Sequence, residues 1–177
     1  MGGSGSRWEQ AQPTDRRTGY APEGAAADPK ATPMLLTGTY PRTLDEKKRV
    51  ALPKRVREQL SDPETLFVTP GPDQCLWLYT QPGLETLAAK LDQAPATDTE
   101  ARVFRRLYFA QTESVDLDRA GRILISERLI QFASLEHEVI LIGVRDHLEL
   151  WDSGRWQQYL SQNGPRFDAV AEGAFRK

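Results

Sequence analysis

From Leu36 to Leu160 the apolar positions change period several times, and the changes repeat. GTYPRTLD and QTESVDLD each lead into a turn that carries an Asp. RVALP and RILIS follow as short strands rich in Val, Ile and Leu. Helices are expected to begin at Pro53 and Ser126, because Pro suits the first helical turn and Ser an N-cap. Val56 and Leu60, then Leu129, Ile130 and Ala133, supply the apolar side of these short helices. A hairpin comes next, LFVTP with CLWLY and VILIG with HLELW, turning at Gly71-Pro72-Asp73 and at Arg145-Asp146. Each series closes with a helix. Leu84, Leu87, Ala88 and Leu91 keep helical spacing in the first; Trp156, Tyr159 and Leu160 do so in the second, behind a Ser153 cap.

The two series are one unit written twice. At an offset of 73, Leu44 meets Leu117, Asp45 meets Asp118, Arg49 meets Arg122 and Arg55 meets Arg128. The same offset lays LFVT on Val139–Ile142, and one deleted residue then brings LWLY onto LELW. Duplicated units of this size need each other to close a core. Between them, PATDTEARVFRRLYFAQT predicts a partly amphipathic helix with a Thr97/Glu100 capping box. Its Arg102, Arg105 and Arg106 fall mostly on one side, either as a solvated face or as a surface for an acidic partner or subunit. Trp77, Tyr79, Trp151 and Trp156 fit a core or a subunit interface. The expected organisation is a disordered extension over 1–33, a first unit over 36–82, connecting helices over 83–110, a second unit over 111–155 and a C-terminal helix and tail over 156–177. The last stretch, NGPRFDAVAEGAFRK, reads as a frayed helix or a docking tail.

Composition narrows the class. A length of 177 residues fits about one domain, two at most. With 39% hydrophobic and 27% charged residues and a mean hydropathy of -0.55, a soluble chain with a modest core is expected. The longest apolar run, VILIGV at 139–144, is far short of the ~18 residues a membrane span needs. The start of the chain lacks the apolar segment of a secretion signal, and the single cysteine, Cys75, reads as a buried small hydrophobe. These features point to the cytoplasm. Over 1–33, Gly, Pro and Ala supply 15 of the 33 residues and Val, Ile, Leu and Phe are missing, so burial cannot offset ordering there. Net charge is -2 and the pI about 5.8, so a nucleic-acid role has to rest on local charge.

Catalytic frames are missing. The chain has no GxxxxGK[ST], GxGxxG or GxSxG, and no zinc-type spacing. Glu136, His137 and Glu138 alternate across a strand and cannot converge with His147 on one ion. No metal, cofactor, catalytic residue or small-molecule substrate is expected, and the chain is read as a non-enzyme. What is duplicated is Asp-x-x-x-Arg at a turn: Asp45 to Arg49 and Asp118 to Arg122. The Asp can accept backbone N–H groups, the Arg can fork onto the carboxylate, and Gly121 permits positive φ. Asp45, Asp118, Gly121 and Arg122 are therefore read as turn-stabilising. The two copies differ in charge. From Gly38 to Leu60, seven basic residues against three acidic leave +4; from Gln111 to Ala133, three against four leave -1. A cationic loop suits phosphate contacts, and an Arg fork suits a guanine edge. Tight DNA binders typically use ~6–10 phosphate contacts, so several copies side by side are required.

The doubled Asp-x-x-x-Arg, RVALPKRVREQL, CLWLY, ARVFRRLYF, VDLDRAGRILI and LELWD resemble the MraZ family, whose members carry two tandem SpoVT-AbrB-like units. The resemblance covers roughly Leu36–Leu160. It implies an α+β, β-rich fold, a swapped-hairpin barrel with short flanking helices. It also implies a cytoplasmic, nucleoid-associated, ring-like homo-oligomer that binds short direct repeats in double-stranded DNA and represses the division and cell-wall gene cluster that includes its own gene. Arg49 carries over as the central DNA contact, with Arg42, Lys47 and Lys48 beside it. The chain departs from the family in having Lys48 where Gly usually precedes the Arg, and Ser126 where Pro is usual. If that turn keeps positive φ, Lys48 costs of order ~1 kcal/mol. The alternative reading is an antitoxin-like AbrB protein-interaction module. An enzyme would require a pocket that joins His137 or His147 to a carboxylate.

Overall fold

The computed structural model describes residues 35–95 and 97–176, so the expected 1–33 extension lies outside the described residues. The first unit runs β1 (Thr39–Thr43), β2 (Arg49–Ala51), α1 (Lys54–Gln59), β3 (Thr65–Pro70), β4 (Leu76–Tyr79) and α2 (Gln81–Leu91). Helix α3 (Thr99–Ala110) follows. The second unit runs β5 (Glu113–Asp116), β6 (Arg122–Leu124), α4 (Glu127–Ala133), β7 (Glu138–Gly143), β8 (Leu148–Asp152) and α5 (Ser153–Asn163), and α6 (Phe167–Phe175) ends the chain.

The units exchange strands. β1 pairs with β7 of the second unit, and β5 pairs with β3 of the first, in an antiparallel sheet of order β1-β7-β8-β4-β3-β5. β2 and β6 form a separate two-stranded ribbon. Register follows the sequence offset: Arg42 lies opposite Val139, and its repeat mate Val115 lies opposite Leu66, the mate of Val139. Val50 faces its own mate Ile123 in the ribbon, and Trp77 faces its mate Glu149 in the sheet, so both pairs lie on a pseudo-twofold axis. The α+β class follows the sequence pattern, and the strand exchange follows the family resemblance. Closure does not. The sheet order ends at β1 and β5, and the three-residue strands β2 and β6 use their ladder on each other, so the described strands form no closed barrel.

The core obeys the same symmetry. Val56 and Leu129, Leu52 and Ile125, and Leu66 and Val139 are repeat mates, all buried in one cluster. Each such side chain contributes about 1.5–3 kcal/mol on burial. Pro41 is tolerated in β1 because that strand is a sheet edge. Tyr79 and Trp151 are buried, and Trp77 and Trp156 half-buried, which puts these aromatics mainly in the core. Cys75 is buried, and burial pushes its thiol up.

Two caps differ from expectation. α3 starts at Asp98, whose carboxylate accepts from Ala101 N at 3.0 Å; a charged cap suits the helix dipole, and Thr97 lies one residue outside. α5 starts at Asp152, which accepts from Gly154 N and Arg155 N, making Ser153 the first helical residue. The arginine row of α3 is also broken. Arg105 turns back to donate to the carbonyls of Leu91 and Ala94, groups a helix end leaves unsatisfied.

Candidate nucleic-acid interface

The two Asp-x-x-x-Arg turns have the same geometry. Asp45 N donates to Arg49 O and Lys48 N to Asp45 O; Asp118 N donates to Arg122 O and Gly121 N to Asp118 O. Asp45 Oδ1 accepts from Lys47 N and Arg49 N, both at 2.9 Å, which closes the bend. Asp118 Oδ1 accepts from Ala120 N and Arg122 N at 2.8 and 3.0 Å. Each turn needs a left-handed residue before the Arg. Gly121 adopts φ 71° freely, and Lys48 adopts φ 59° at a cost. Each turn is also tied to the other unit, since Lys48 O accepts from Ile125 N and Gly121 O from Leu52 N.

The side chains complete a four-charge cluster. Arg49 places Nε 2.9 Å and Nη2 2.8 Å from Asp45 Oδ2. Arg122 does the same to Asp118 Oδ2, at 2.8 and 2.7 Å. Across the axis, Arg49 Nη1 lies 3.7 Å from Asp118 and Arg122 Nη1 3.9 Å from Asp45. The Arg49 hydrogen bond holds Asp45 below its usual range, and the Arg122 bond lowers Asp118 to about 2. Alternation in the ribbon sends Val50 and Ile123 inward and Arg49, Arg122 and the exposed Leu124 outward. All four charged side chains stay partly exposed, and Nη1 of each Arg lies outside its own fork, facing the opposite Asp.

The other cations are not equally available. Lys47 is exposed at the tip of the turn. Lys48 reaches Glu127 at the start of α4 in the other unit. Arg42 donates to Ala51 O and Pro41 O, which staples β1 to the ribbon. The structure therefore gathers Arg49, Lys47 and Lys48 on one turn and holds Arg42 at its base. It also brings in Arg122, which the sequence pattern places only in its own turn. The signal was present in the repeat: a twofold through Val50 and Ile123 must bring both arginines to one face.

The two histidines have separate surroundings. His137 Nδ1 lies 3.2 Å from Leu44 O on the surface. His147 is buried against Trp77 and Tyr79, with Nδ1 2.7 Å from Asp146 Oδ1 and Nε2 3.5 Å from Glu149 Oε1. Glu149 also accepts from the indoles of Trp77 and Trp151 at 3.0 and 2.8 Å. Burial pulls His147 down, and the two carboxylates overcome it and raise the pKa. The rings of Trp77 and Tyr79 pack on the imidazole, so this His–carboxylate group is a packed network. Among the described residues, no cluster of three or more His, Cys, Asp or Glu could hold a metal ion, and no helix is long and apolar enough to cross a membrane.

A family model described as "MraZ protein, putative antitoxin-like" matches residues 35–107 and again 108–177. Curated relatives named "Transcriptional regulator MraZ" include one from Moorella thermoacetica, 36% identical over 78% of this chain and 95% of its own length. Another, from Acetivibrio thermocellus, is 38% identical over 78% of this chain and 95% of its own length. A third, from Lactiplantibacillus plantarum, is 36% identical over 78% of this chain and 96% of its own length. With a doubled family match over most of its length and relatives above 30% identity along nearly their whole length, this chain belongs to the MraZ family.

Proposed function

We propose that this chain is a transcriptional regulator that binds double-stranded DNA at short direct repeats as a ring-like homo-oligomer. On this reading it works in the cytoplasm at the nucleoid and represses the division and cell-wall gene cluster, its own gene included. The names of its relatives support the regulatory role. The observation that carries the DNA reading is the outward ribbon face, where Arg49 and Arg122 are pre-positioned by Asp45 and Asp118 beside the exposed Lys47. Arg49 turns Nη1, 3.7 Å from Asp118, toward a base edge or a phosphate while Nε and Nη2 hold its orientation. An arginine already held loses less side-chain freedom on binding. Lys47 and Lys48 contribute phosphate contacts, and Arg42 supports the turn from below.

The test is fluorescence anisotropy on repeats from the DNA upstream of the chain's own gene, run across a salt series. Arg49→Ala is expected to cost about 1–3 kcal/mol per site, and Lys47→Ala to lower the salt slope by about 1. Unchanged affinity of an Arg49→Ala protein of unchanged oligomeric state refutes the role. The alternative, an AbrB-like protein-interaction module, takes support from the engagement of Arg42, Lys48 and Arg49 within the chain. It predicts DNA retention that is weak and sequence-blind and is lost as salt rises.

A further inference from the structure

α3 and α6 each leave an apolar face uncovered. On α3, Val103, Phe104 and Leu107 are 46–58% exposed, and on α6, Phe167, Val170 and Phe175 are 53–89% exposed. The α3 face runs into a groove of about 270 Å³ beside Pro72 and Trp77. No residue of α6 is buried. Since both faces are open in the same chain, neither covers the other, and such patches on a soluble protein mark contact surfaces.

Their charges match. On α3, Arg102 and Arg106 stand four residues apart along one flank of the Val103–Leu107 stripe. On α6, Asp168 and Glu172 stand four residues apart along a flank of the Phe167–Val170–Ala171–Ala174 stripe. At 100° per residue the bases precede their stripe in rotation and the acids follow theirs. Two helices packed side by side in the same direction set the following flank of one against the preceding flank of the other, as in parallel coiled coils. Parallel docking therefore puts the basic row against the acidic row while the stripes close on each other. Arg106, Asp168 and Glu172 are exposed; Arg102 is half-buried and donates to Thr99 Oγ1, and Glu172 accepts from Arg176.

We propose that α6 of one copy docks in parallel on the α3 face of the next, with Arg102 and Arg106 meeting Asp168 and Glu172. The contact is head-to-tail, so it propagates from copy to copy and closes into a ring if the rotation permits. It deepens the homo-oligomer of the proposed function by naming its surface, and it does not depend on DNA binding.

The test uses full-length chains and light scattering at low salt, with circular dichroism to check folding. Arg102→Glu with Arg106→Glu, and separately Asp168→Lys with Glu172→Lys, are each expected to reduce the assembly to smaller species. Mixed in equal amounts they are expected to recover the wild-type mass, because each offers the complement of the other's reversed row. Leu107→Asp is expected to dissociate the assembly without rescue by either. A monomeric wild type, a charge variant that assembles normally alone, or a mixture that does not recover overturns the proposal. Arg49→Ala leaves this surface untouched, so failure of the DNA reading and failure of this interface are seen separately.

Discussion

Gly121 is the position where the turn geometry makes its sharpest demand. Its φ of 71° is left-handed, which costs a residue with a β-carbon about 1–2 kcal/mol. A β-carbon there stands 2.6 Å from Arg57 Nε and 2.9 Å from Arg57 Cδ and Cζ. Those atoms belong to a flexible side chain, so the guanidinium swings away. It then gives up its 3.8 Å pair with the largely exposed Asp62, a contact of about 0–1 kcal/mol. Alanine also has fewer unfolded conformations than glycine, which offsets about 0.4–1 kcal/mol. Gly121→Ala is expected to destabilise the fold by about 1–2 kcal/mol, read as a lower urea midpoint at unchanged slope. Arg57→Ala removes the obstacle, and in that background Gly121→Ala retains only the backbone strain. A double-mutant cycle separates the two contributions. A Gly121→Ala change within ~0.5 kcal/mol of wild type, the size of an inconsequential surface substitution, refutes the strain argument. An equal cost in both backgrounds refutes the clash.

The first turn makes the converse case: Lys48→Gly relieves left-handed strain of about 1–2 kcal/mol and loses the half-exposed Glu127 pair of about 0–1 kcal/mol. Stability by urea titration is expected to change by less than ~1 kcal/mol once unfolded-state freedom is included, while the salt slope of DNA binding falls by about 0.9 if Lys48 meets a phosphate. For His147 the folded pKa lies above its ordinary 6.5, so its contribution is full below that value and is lost as pH rises through the folded one. Wild type is expected to lose stability over that rise and His147→Gln to stay flat; equal slopes would rule out the network as the cause. Asp45 and Asp118 have the opposite sign. Their contribution is present above the ordinary 3.8 and lost as pH falls, and Asp118→Asn is expected to flatten the acid limb of the same titration.

Most of the architecture was legible because the repeat itself carries it. Leu44 and Leu117, or Val56 and Leu129, match in residue type at one offset, and matched core positions imply matched elements and a twofold between them. The offset also contained the register, down to the single deletion that brings Trp77 opposite Glu149. Partner choice among polar side chains was not legible. Thr97 and Asp98 are both competent caps, and only the backbone path decides that Asp98 reaches Ala101 N. Arg105 looks like its neighbours on a helical wheel, yet the end of α2 lies within its reach. The Lys48–Glu127 contact joins residues 79 positions apart in sequence, and no local pattern encodes it. Barrel closure likewise depends on where two three-residue strands find their ladder.

The symmetry of the backbone and the asymmetry of the charge have separate consequences for what this face can read. A pair of equivalent turns related by a twofold, equally charged, would favour a palindromic site, as two-fold DNA binders do. Here the twofold relates Glu46, Lys47 and Lys48 to Arg119, Ala120 and Gly121, so beside the forks one turn carries two lysines and an acid and the other a single arginine. Glu127, at the start of α4, carries the second unit's negative charge to the side of Lys48. Arg49 and Arg122 then sit in like forks, and only Arg49 has lysines beside it. The face has a direction, and in the proposed head-to-tail assembly identical faces would all point the same way along the DNA. Direct repeats, not inverted ones, are the sequence arrangement that such an array matches.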